Sequence, residues 1–451
     1  MPNSKSGSKL QELLNEDLSK SEKKITRISD LKDNVGKEVF VRGWVYRQRG
    51  STNLAFVLIR DGTGVVQCAI KSGDVSEDTW KDANDVFLES VVYAYGTVAK
   101  EERAPGGYEI RAKELKVEFR GEAFPIGKDQ STEFLLDVRH LWVRSQAIIN
   151  ALKMKAFVMR TAREFLDEKG FIEIQTPIFT SSAAEGGATV FEVTYFGGKA
   201  YLAQTGQLYS EALIEGYPLV YVFAPSFRAE PSRTPRHLTE FWQLEPEMAF
   251  YNQRMNMELQ GELVERICHE VARKQTDILQ KFKRDPKDLL GIKAPFESMT
   301  YAKAIEELQK KGLKIKWGDG IGLDEEKILV QENTQPVFLT NQPKEMRAFY
   351  MKINPDDPRT VLDGDLLAPE GIGEIIGGSE RVSDYDELVK RLKEMKLKEK
   401  DYKWYVELRK YGSVPHSGFG MGSERLIRWL LKLESIRDAI PFPRTMNRLE
   451  P

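Results

Sequence analysis

Between Ala224 and Phe250 a charged turn joins two runs rich in β-branched and aromatic residues, and this constrains the fold more than any other part of the chain. Val220, Tyr221, Val222 and Phe223 lead in, and Phe241, Trp242 and Leu244 lead out, as strands do. Pro231, Ser232, Arg233, Thr234 and Pro235 supply turn chemistry between them. The stretch reads as a long-looped antiparallel pair. Arg228 and Glu230 enter the loop, Arg236 and His237 leave it, and Glu240, Glu245 and Glu247 lie on the return strand. Alternation puts Arg228 and Glu230 on one face, and Glu245 and Glu247 on one face. A sheet face turned to a core would carry apolar residues there. Arginines and a histidine near carboxylates suit a polyphosphate substrate, because guanidinium forks match phosphate oxygens. A surface hairpin laced with salt bridges is the competing reading.

A chain of 451 residues has room for two or more domains around large cores. Its 41% apolar and 30% charged residues describe a soluble globular protein. The net charge of -2 sets up no global basic field, so any nucleic-acid surface must be a local patch. Cys68 and Cys268 are the only cysteines, which points to a reducing compartment without a disulfide framework or zinc cluster. No run approaches the ~18 apolar residues of a membrane span, and the N-terminus lacks the apolar core of a signal peptide. A cytoplasmic protein with no membrane partner is expected.

Residues 1–24 are polar and lysine-rich and are expected to form a disordered extension with one short helix over 9–18. Residues 25–119 are β in pattern, with strands over 39–46, 54–60, 65–70, 90–99 and 108–118 and a helix over 78–88. Five strands with a helix between the third and fourth is the order of an OB-fold barrel. Such barrels bind single-stranded nucleic acid on aromatics within a basic groove. Arg42, Trp44, Tyr46, Arg47, Arg49, Phe56 and Arg60 supply that mixture. Residues 120–140, with few periodic apolar positions, read as a linker or hinge, and a second large domain is expected over 141–451.

Within that domain Ile149, Leu152, Ala156, Met159, Ala162 and Leu166 recur at spacings of three and four, and Gly170 ends the helix they define. A strand over 171–178, interrupted by Pro177, follows. The small residues of 181–188 suit a mobile loop carrying one carboxylate, Glu185. A strand then runs into a helix through Gln204-Thr205-Gly206-Gln207. Further on, Asp365 and Glu374 sit on apolar strands that aim hard oxygen ligands, as Mg2+ on a nucleotide requires. Gly377 and Gly378 let the backbone approach a ligand. The run from Gly418 to Arg425 is a glycine-rich strand entering an amphipathic helix whose first turn carries Arg425. Residues 283–345 carry no assignable chemistry.

Phe227-Arg228-Ala229-Glu230, followed by Arg236-His237-Leu238 and Glu240-Phe241, closely resembles motif 2 of the class II aminoacyl-tRNA synthetases in their aspartate, asparagine and lysine branch. Gly418-Phe419-Gly420-Met421-Gly422-Ser423-Glu424-Arg425 resembles motif 3, and the helix, strand and Pro177 resemble motif 1. The resemblance implies an α+β fold: an N-terminal OB-fold β-barrel, then a catalytic domain with an antiparallel sheet flanked by helices. It implies a homodimer through the region around Pro177, with ATP as substrate and Mg2+ as cofactor. The implied reaction has two steps, adenylation of an amino acid and its transfer to the 3′ end of tRNA.

The resemblance also implies roles for particular residues. Arg228, Arg425 and Glu374 would be catalytic. ATP would meet Arg228, Ala229, Glu230, Arg236, His237, Leu238, Phe241, Glu374, Gly422, Ser423, Glu424 and Arg425, with Phe241 stacked on adenine. The amino acid would meet Glu185, Gln207, Arg228, Glu245 and Arg381. Glu374 and Asp365 would hold the metal, and Arg42, Arg47 and Phe56 would touch the tRNA anticodon. Aspartyl members of the branch usually show lysine where Ser210 stands, and Asp-x-Glu where this chain has Glu245-Pro246-Glu247. Losing a cation and lengthening an acid favour an amide, so asparagine and tRNA(Asn) are the expected substrates. Glu245 is expected to accept from the amide NH2 while Arg381 donates to the amide oxygen. An aspartyl enzyme, of the kind that charges one or both tRNAs, and an enzyme that amidates aspartate on the same catalytic domain are the alternatives.

Overall fold

The computed structural model describes residues 8–15, 25–184, 189–232, 234 and 237–451. The chain divides into two compact units, Met1–Ser131 and Thr132–Pro451.

The first unit begins with α1 (Lys9–Asn15). It continues through β1 (Glu38–Gly50), β2 (Leu54–Arg60), β3 (Val65–Lys71), α2 (Glu77–Asp85), β4 (Val91–Lys100) and β5 (Tyr108–Phe119). The strands close into a barrel in the order β1-β2-β3-β5-β4, as an OB-fold requires. Alternation on β1 drives Val39, Val41 and Val45 into the core and leaves Arg42, Trp44 and Tyr46 exposed. A register slip between Val45 and Arg47 turns Arg47 outward beside Tyr46. Gly43 has a steric reason: a Cβ there would lie 2.2 Å from the Arg60 carbonyl oxygen. Part of the expected disordered extension is docked. Leu10 packs against Phe40 and Tyr95, and the Lys9 and Leu10 amides donate to Glu114 at 3.0 and 3.2 Å. A carboxylate facing free N–H groups at a helix start explains this anchoring. The rest of 1–24, apart from residue 8, lies outside the described residues.

The second unit opens with α3 (Thr132–Asp137), α4 (Arg139–Trp142) and α5 (Gln146–Glu168). Then come β6 (Ile172–Glu173), β7 (Phe179–Thr180), β8 (Glu192–Tyr195), β9 (Gly198–Leu202), α6 (Gln207–Leu213), β10 (Leu219–Phe227) and β11 (Glu240–Ala249). After α7 (Gln253–Lys274) follow β12 (Glu297–Thr300), α8 (Tyr301–Lys310), α9 (Leu323–Val330), β13 (Val337–Thr340), β14 (Gly364–Ala368) and β15 (Gly373–Glu380). The chain ends with α10 (Tyr385–Glu394), α11 (Lys403–Glu407), β16 (His416–Gly422) and α12 (Ser423–Leu430). One sheet runs β12-β13-β14-β15-β16-β11-β10-β6, and a smaller one runs β7-β9-β8. The large sheet is antiparallel except at its edges, where β6 lies parallel to β10 and β12 parallel to β13.

Helices α5 and α7 cover one face of this sheet. Met154, Val158 and Ala162 of α5 and Leu263, Ile267 and Val271 of α7 join Tyr221, Leu244, Ile376, Phe419 and Met421 in one core. Of the expected strand over 171–178 only β6 forms, and β7, in the smaller sheet, starts after Pro177, which cannot donate to a ladder. Residues 283–345 build the sheet's far edge through β12 and β13, and the Glu326 carboxylate accepts from the Glu374 amide at 2.8 Å.

The boundary between the units falls inside the expected linker 120–140, whose second half is helical and tied down. Arg139 is fully buried and donates from Nε to the Pro441 carbonyl at 2.8 Å and from Nη2 to Arg437 and Ile440 at 2.9 and 2.8 Å. A buried arginine in a segment poor in apolar residues leaves no periodic signature. Removing it strands three carbonyls. Arg139→Ala is therefore expected to lower stability by about 3 kcal/mol or more, read as a lower urea midpoint for this unit. An unchanged midpoint would return 132–140 to the status of a linker.

Candidate active site

Strands β11, β14, β15 and β16 floor a cavity that α6, α12 and the segment around Phe349 wall in. At one end stand Arg228, Glu230, His237, Leu238 and Phe241. Arg228 follows β10 directly, and its guanidinium lies 5.5 Å over the Phe241 ring. The His237 ring nitrogen Nδ1 is 2.9 Å from the Ser232 hydroxyl, and its Nε2 is 3.7 Å from Glu230. Gly422 is the N-cap of α12, so the free N–H groups of that helix and Arg425 in its first turn meet the same space.

Two of the residues expected at the nucleotide do not line the cavity. Ala229 and Ser423 are absent from its wall. Ser423 is buried and donates to Glu424 at 3.0 Å. Glu424 reaches the wall, but its carboxylate also accepts from the Trp242 amide at 3.1 Å and from the Lys155 ammonium, fastening α12 to β11 and α5. Arg236 and Glu185 lie outside the described residues.

Asp365 on β14 and Glu374 on β15 converge. A Cβ added to Gly377 would lie 3.3 Å from Asp365 Oδ1 and 3.4 Å from Glu374 Oε1. Burial, opposed by Arg347 but reinforced by Glu374 and Asp363, pushes the Asp365 carboxyl up to about 7. Crowded hard oxygens of this kind fit Mg2+. Guanidinium groups already touch both acids: Arg425 Nη1 lies 3.0 Å from Glu374 Oε1, and Arg347 Nη2 donates to Asp365 Oδ1 at 2.8 Å. Arg347 was not singled out by the sequence. Its one signal is a lone arginine ahead of the apolar run Phe349-Tyr350-Met351.

At the other end lie Gln207, Glu245, Glu247, Tyr350 and Arg381. Both residues expected at the substrate amide already have partners in the protein. Arg381 donates from Nε and Nη2 to Glu247 at 3.0 and 2.9 Å, and from Nη1 to Ser379 at 2.7 Å. Glu245 instead accepts from the Gly206 amide at 2.9 Å and from the Thr205 hydroxyl, capping the start of α6. Gly418 makes the fork possible, since a Cβ there would lie 2.0 Å from Glu247 Oε2. Gln207 donates its amide to Glu211 at 2.9 Å, and a carboxylate can only accept, so the Gln207 oxygen is left to face elsewhere.

Behind Gln207, Glu211 also accepts from Tyr405 at 2.6 Å and Arg409 at 2.5 Å and lies 3.0 Å from His416 Nε2. Burial would raise the Glu211 carboxyl, but Arg409 and His416 hold it well below the usual carboxylate range. Glu211, Glu247 and His416 stand close enough to ligate a metal. Arg381 and Arg409 already neutralise their carboxylates, so the cluster is an ion-pair network.

Arg42, Arg47 and Phe56 belong to the other unit. Arg42 and Arg47 are exposed on β1, and Phe56 on β2 is half-buried under the Arg49 guanidinium at 5.0 Å.

The profile of the tRNA synthetases class II (D, K and N) matches residues 131–446, and that of the OB-fold nucleic acid binding domain matches residues 39–118. The chain belongs to the class II tRNA synthetases. This synthetase is 44% identical over 417 residues to the asparagine–tRNA ligase of Thermoplasma acidophilum, covering 92% of this chain and 97% of that one. It is 48% identical over 419 residues to the asparagine–tRNA ligase of Thermococcus kodakarensis, covering 92% and 96%. It superposes with a TM-score of 0.92 on asparaginyl-tRNA synthetase from Pyrococcus horikoshii complexed with asparaginyl-adenylate, at 44% identity over 95% of this chain and 99% of that one.

Arg228 faces the cavity of the synthetase beside Phe241. Arg228→Ala is expected to lower amino-acid-dependent pyrophosphate exchange by at least about a hundredfold, with an unchanged circular dichroism spectrum. Near-normal exchange in the folded variant would remove Arg228 from the chemistry.

Proposed function

We propose that this protein is an asparagine–tRNA ligase, which joins asparagine to tRNA(Asn) through an asparaginyl-adenylate. The observation that carries this reading is one cavity with Arg228 and Arg425 at one end and the Arg381–Glu247 fork at the other. ATP lies with its adenine on Phe241 and near Leu238, its phosphates toward Arg228 and Arg425, and Glu230 and His237 at its side. A carboxylate oxygen of asparagine attacks the α-phosphorus, and pyrophosphate leaves with the electron pair of the broken P–O bond. Arg228 and the N-terminus of α12 lower the charge on that phosphate. A hydroxyl of the terminal tRNA ribose then attacks the carbonyl carbon, and AMP leaves. Asp365 and Glu374 would hold Mg2+, which would spread phosphate charge when bound.

Specificity for asparagine rests on charge balance. Three of the five N–H donors of Arg381 are spent on Glu247 and Ser379. The two that remain serve a neutral amide oxygen, while Glu245 repels the second carboxylate of aspartate. Gln207 presents its oxygen to the amino acid. Relatives named asparagine–tRNA ligase, matched along more than nine-tenths of the chain, support this reading over an aspartyl enzyme. An amidating enzyme has no use for the OB-fold domain.

In that domain Arg42, Trp44, Tyr46, Arg47 and Phe56 offer anticodon bases charge and stacking surface. Around Pro177 the apolar side chains of Ile172, Ile178 and Phe179 are 45%, 42% and 53% exposed, which suits burial against a second copy in a homodimer. No helix among the described residues is long and apolar enough to cross a membrane, and cytoplasmic work on tRNA belongs with this reading.

Two experiments test it. Removing residues 1–131 is expected to keep asparagine-dependent pyrophosphate exchange and to lose most tRNA charging; charging at the full-chain rate would refute the anticodon role. Glu245→Gln is expected to lower the ratio of kcat/KM for asparagine over aspartate by about tenfold or more, by removing one repelling charge. An unchanged ratio would reject Glu245, and a wild type that prefers aspartate would reject the substrate.

A further inference from the structure

Arg347 is a charged residue of the cavity wall that neither step of the reaction uses. Its side chain is 20% exposed, and its backbone is fixed by Arg391, whose Nη2 donates to the Arg347 carbonyl at 3.4 Å. Its guanidinium reaches two acids, Asp365 on β14 and Asp363 just before it. Nη2 donates to Asp365 Oδ1 at 2.8 Å, and Nε lies 3.0 Å from Asp363 Oδ2. The other oxygen of Asp365 accepts from Gln342 Nε2 at 2.7 Å. The Asp365 oxygen that converges with Glu374 over Gly377 is thus the one Arg347 engages.

We propose that Arg347 is a resident counter-cation that competes with the divalent metal for Asp365, so that tight metal binding requires the nucleotide. The inference rests on Asp365 and Glu374 being metal ligands. A divalent ion placed at Asp365 Oδ1 would meet a guanidinium in direct contact with the same oxygen. Like charges at that range repel strongly inside a protein. Phosphates arriving at the Arg228 and Arg425 end supply the anions that draw Arg347 off Asp365 and leave its oxygen to the metal. The long side chain permits this, because only its tip is engaged and its backbone stays tied to Arg391. The ion then enters with the nucleotide, and the acids are not occupied beforehand by free cations.

The test uses Mn2+ as probe on the full-length protein without nucleotide, with free Mn2+ read by electron paramagnetic resonance. R347Q and R347M, both neutral, are expected to bind Mn2+ at least about tenfold more tightly than wild type. R347K, which keeps the charge, is expected to stay near wild type. With ATP present the difference between R347Q and wild type is expected to shrink. Thermal melts check both neutral variants, and either one that folds suffices. Mn2+ affinity in R347Q or R347M equal to or below wild type would overturn the proposal, and so would R347K behaving like the neutral variants. E374Q separates the two levels. If it leaves Mn2+ binding in the presence of ATP unchanged, the metal assignment itself fails. If it weakens that binding while R347Q matches wild type, only the role of Arg347 fails.

Discussion

The fork between Glu247 and Arg381 sets the terms for the rest of the catalytic unit. Both groups are almost wholly buried, and an unpaired charge at that depth costs several kcal/mol. The pair is affordable only if the geometry is good and the remaining donors are used, and Ser379 uses one. That geometry needs β16 to pass close beside β11 with no side chain at the crossing. Glu247 pairs with Gly418 in the ladder, and the missing Cβ is the space its carboxylate fills. A second buried ion group, Glu211 with Arg409, Tyr405 and His416, lies immediately behind. Together they make the cavity floor rigid and polar before any ligand arrives, which is what preorganised electrostatic catalysis requires.

Sheet order turns segments distant in the chain into one site. Strand β16 lies between β15 and β11, so residues near 420 bridge those near 245 and those near 375. The helices behind the sheet take no part in the chemistry. Their apolar faces hold the strands in register, and a slip of one residue would turn Glu245 and Glu247 away from the cavity. The far edge built by 283–345 works in the same sense, since Glu326 holds the backbone of Glu374 in place.

What the sequence discloses is what depends on local periodicity. The barrel strands, α5, and the β10–β11 pair with its charged loop all follow from spacing and turn residues that neighbours enforce on each other. The site residues that belong to the recurring motifs, among them Arg228, Phe241, Glu374, Gln207 and Arg381, do meet in one cavity. What stays hidden is the choice of partner. Glu245 and Glu247 share a face, and alternation alone does not say which of them meets Arg381. The choice is made by Gly418, about 170 residues away, and by the helix start at Gly206, which claims Glu245. Arg139 and Arg347 are invisible for the same reason: their partners are carbonyls and acids brought by tertiary structure, and a single arginine in an irregular segment has no period. Ser423 and Glu424 show the converse. They belong to a motif, yet one lies behind the cavity wall and the other is fastened by β11 and α5.

Charge along the cavity wall argues for the order in which ligands bind. Arg228, Arg347, Arg381 and Arg425 face Glu230, Glu245, Glu247, Asp365, Glu374 and Glu424, so carboxylates outnumber guanidinium groups. A polyphosphate entering such a wall meets a field that is not attractive overall. It is favoured only where the arginines turn their free donors toward it and where the surplus acids are neutralised by something else. A divalent cation would meet both needs, since it would bind the acids and the phosphates at once, whereas the acids alone would leave it facing Arg347 and Arg425. At the other end, Glu245 would stand against a substrate side chain that carries a negative charge. One excess of negative charge can thus couple metal to nucleotide at one end of the cavity and exclude a second carboxylate at the other.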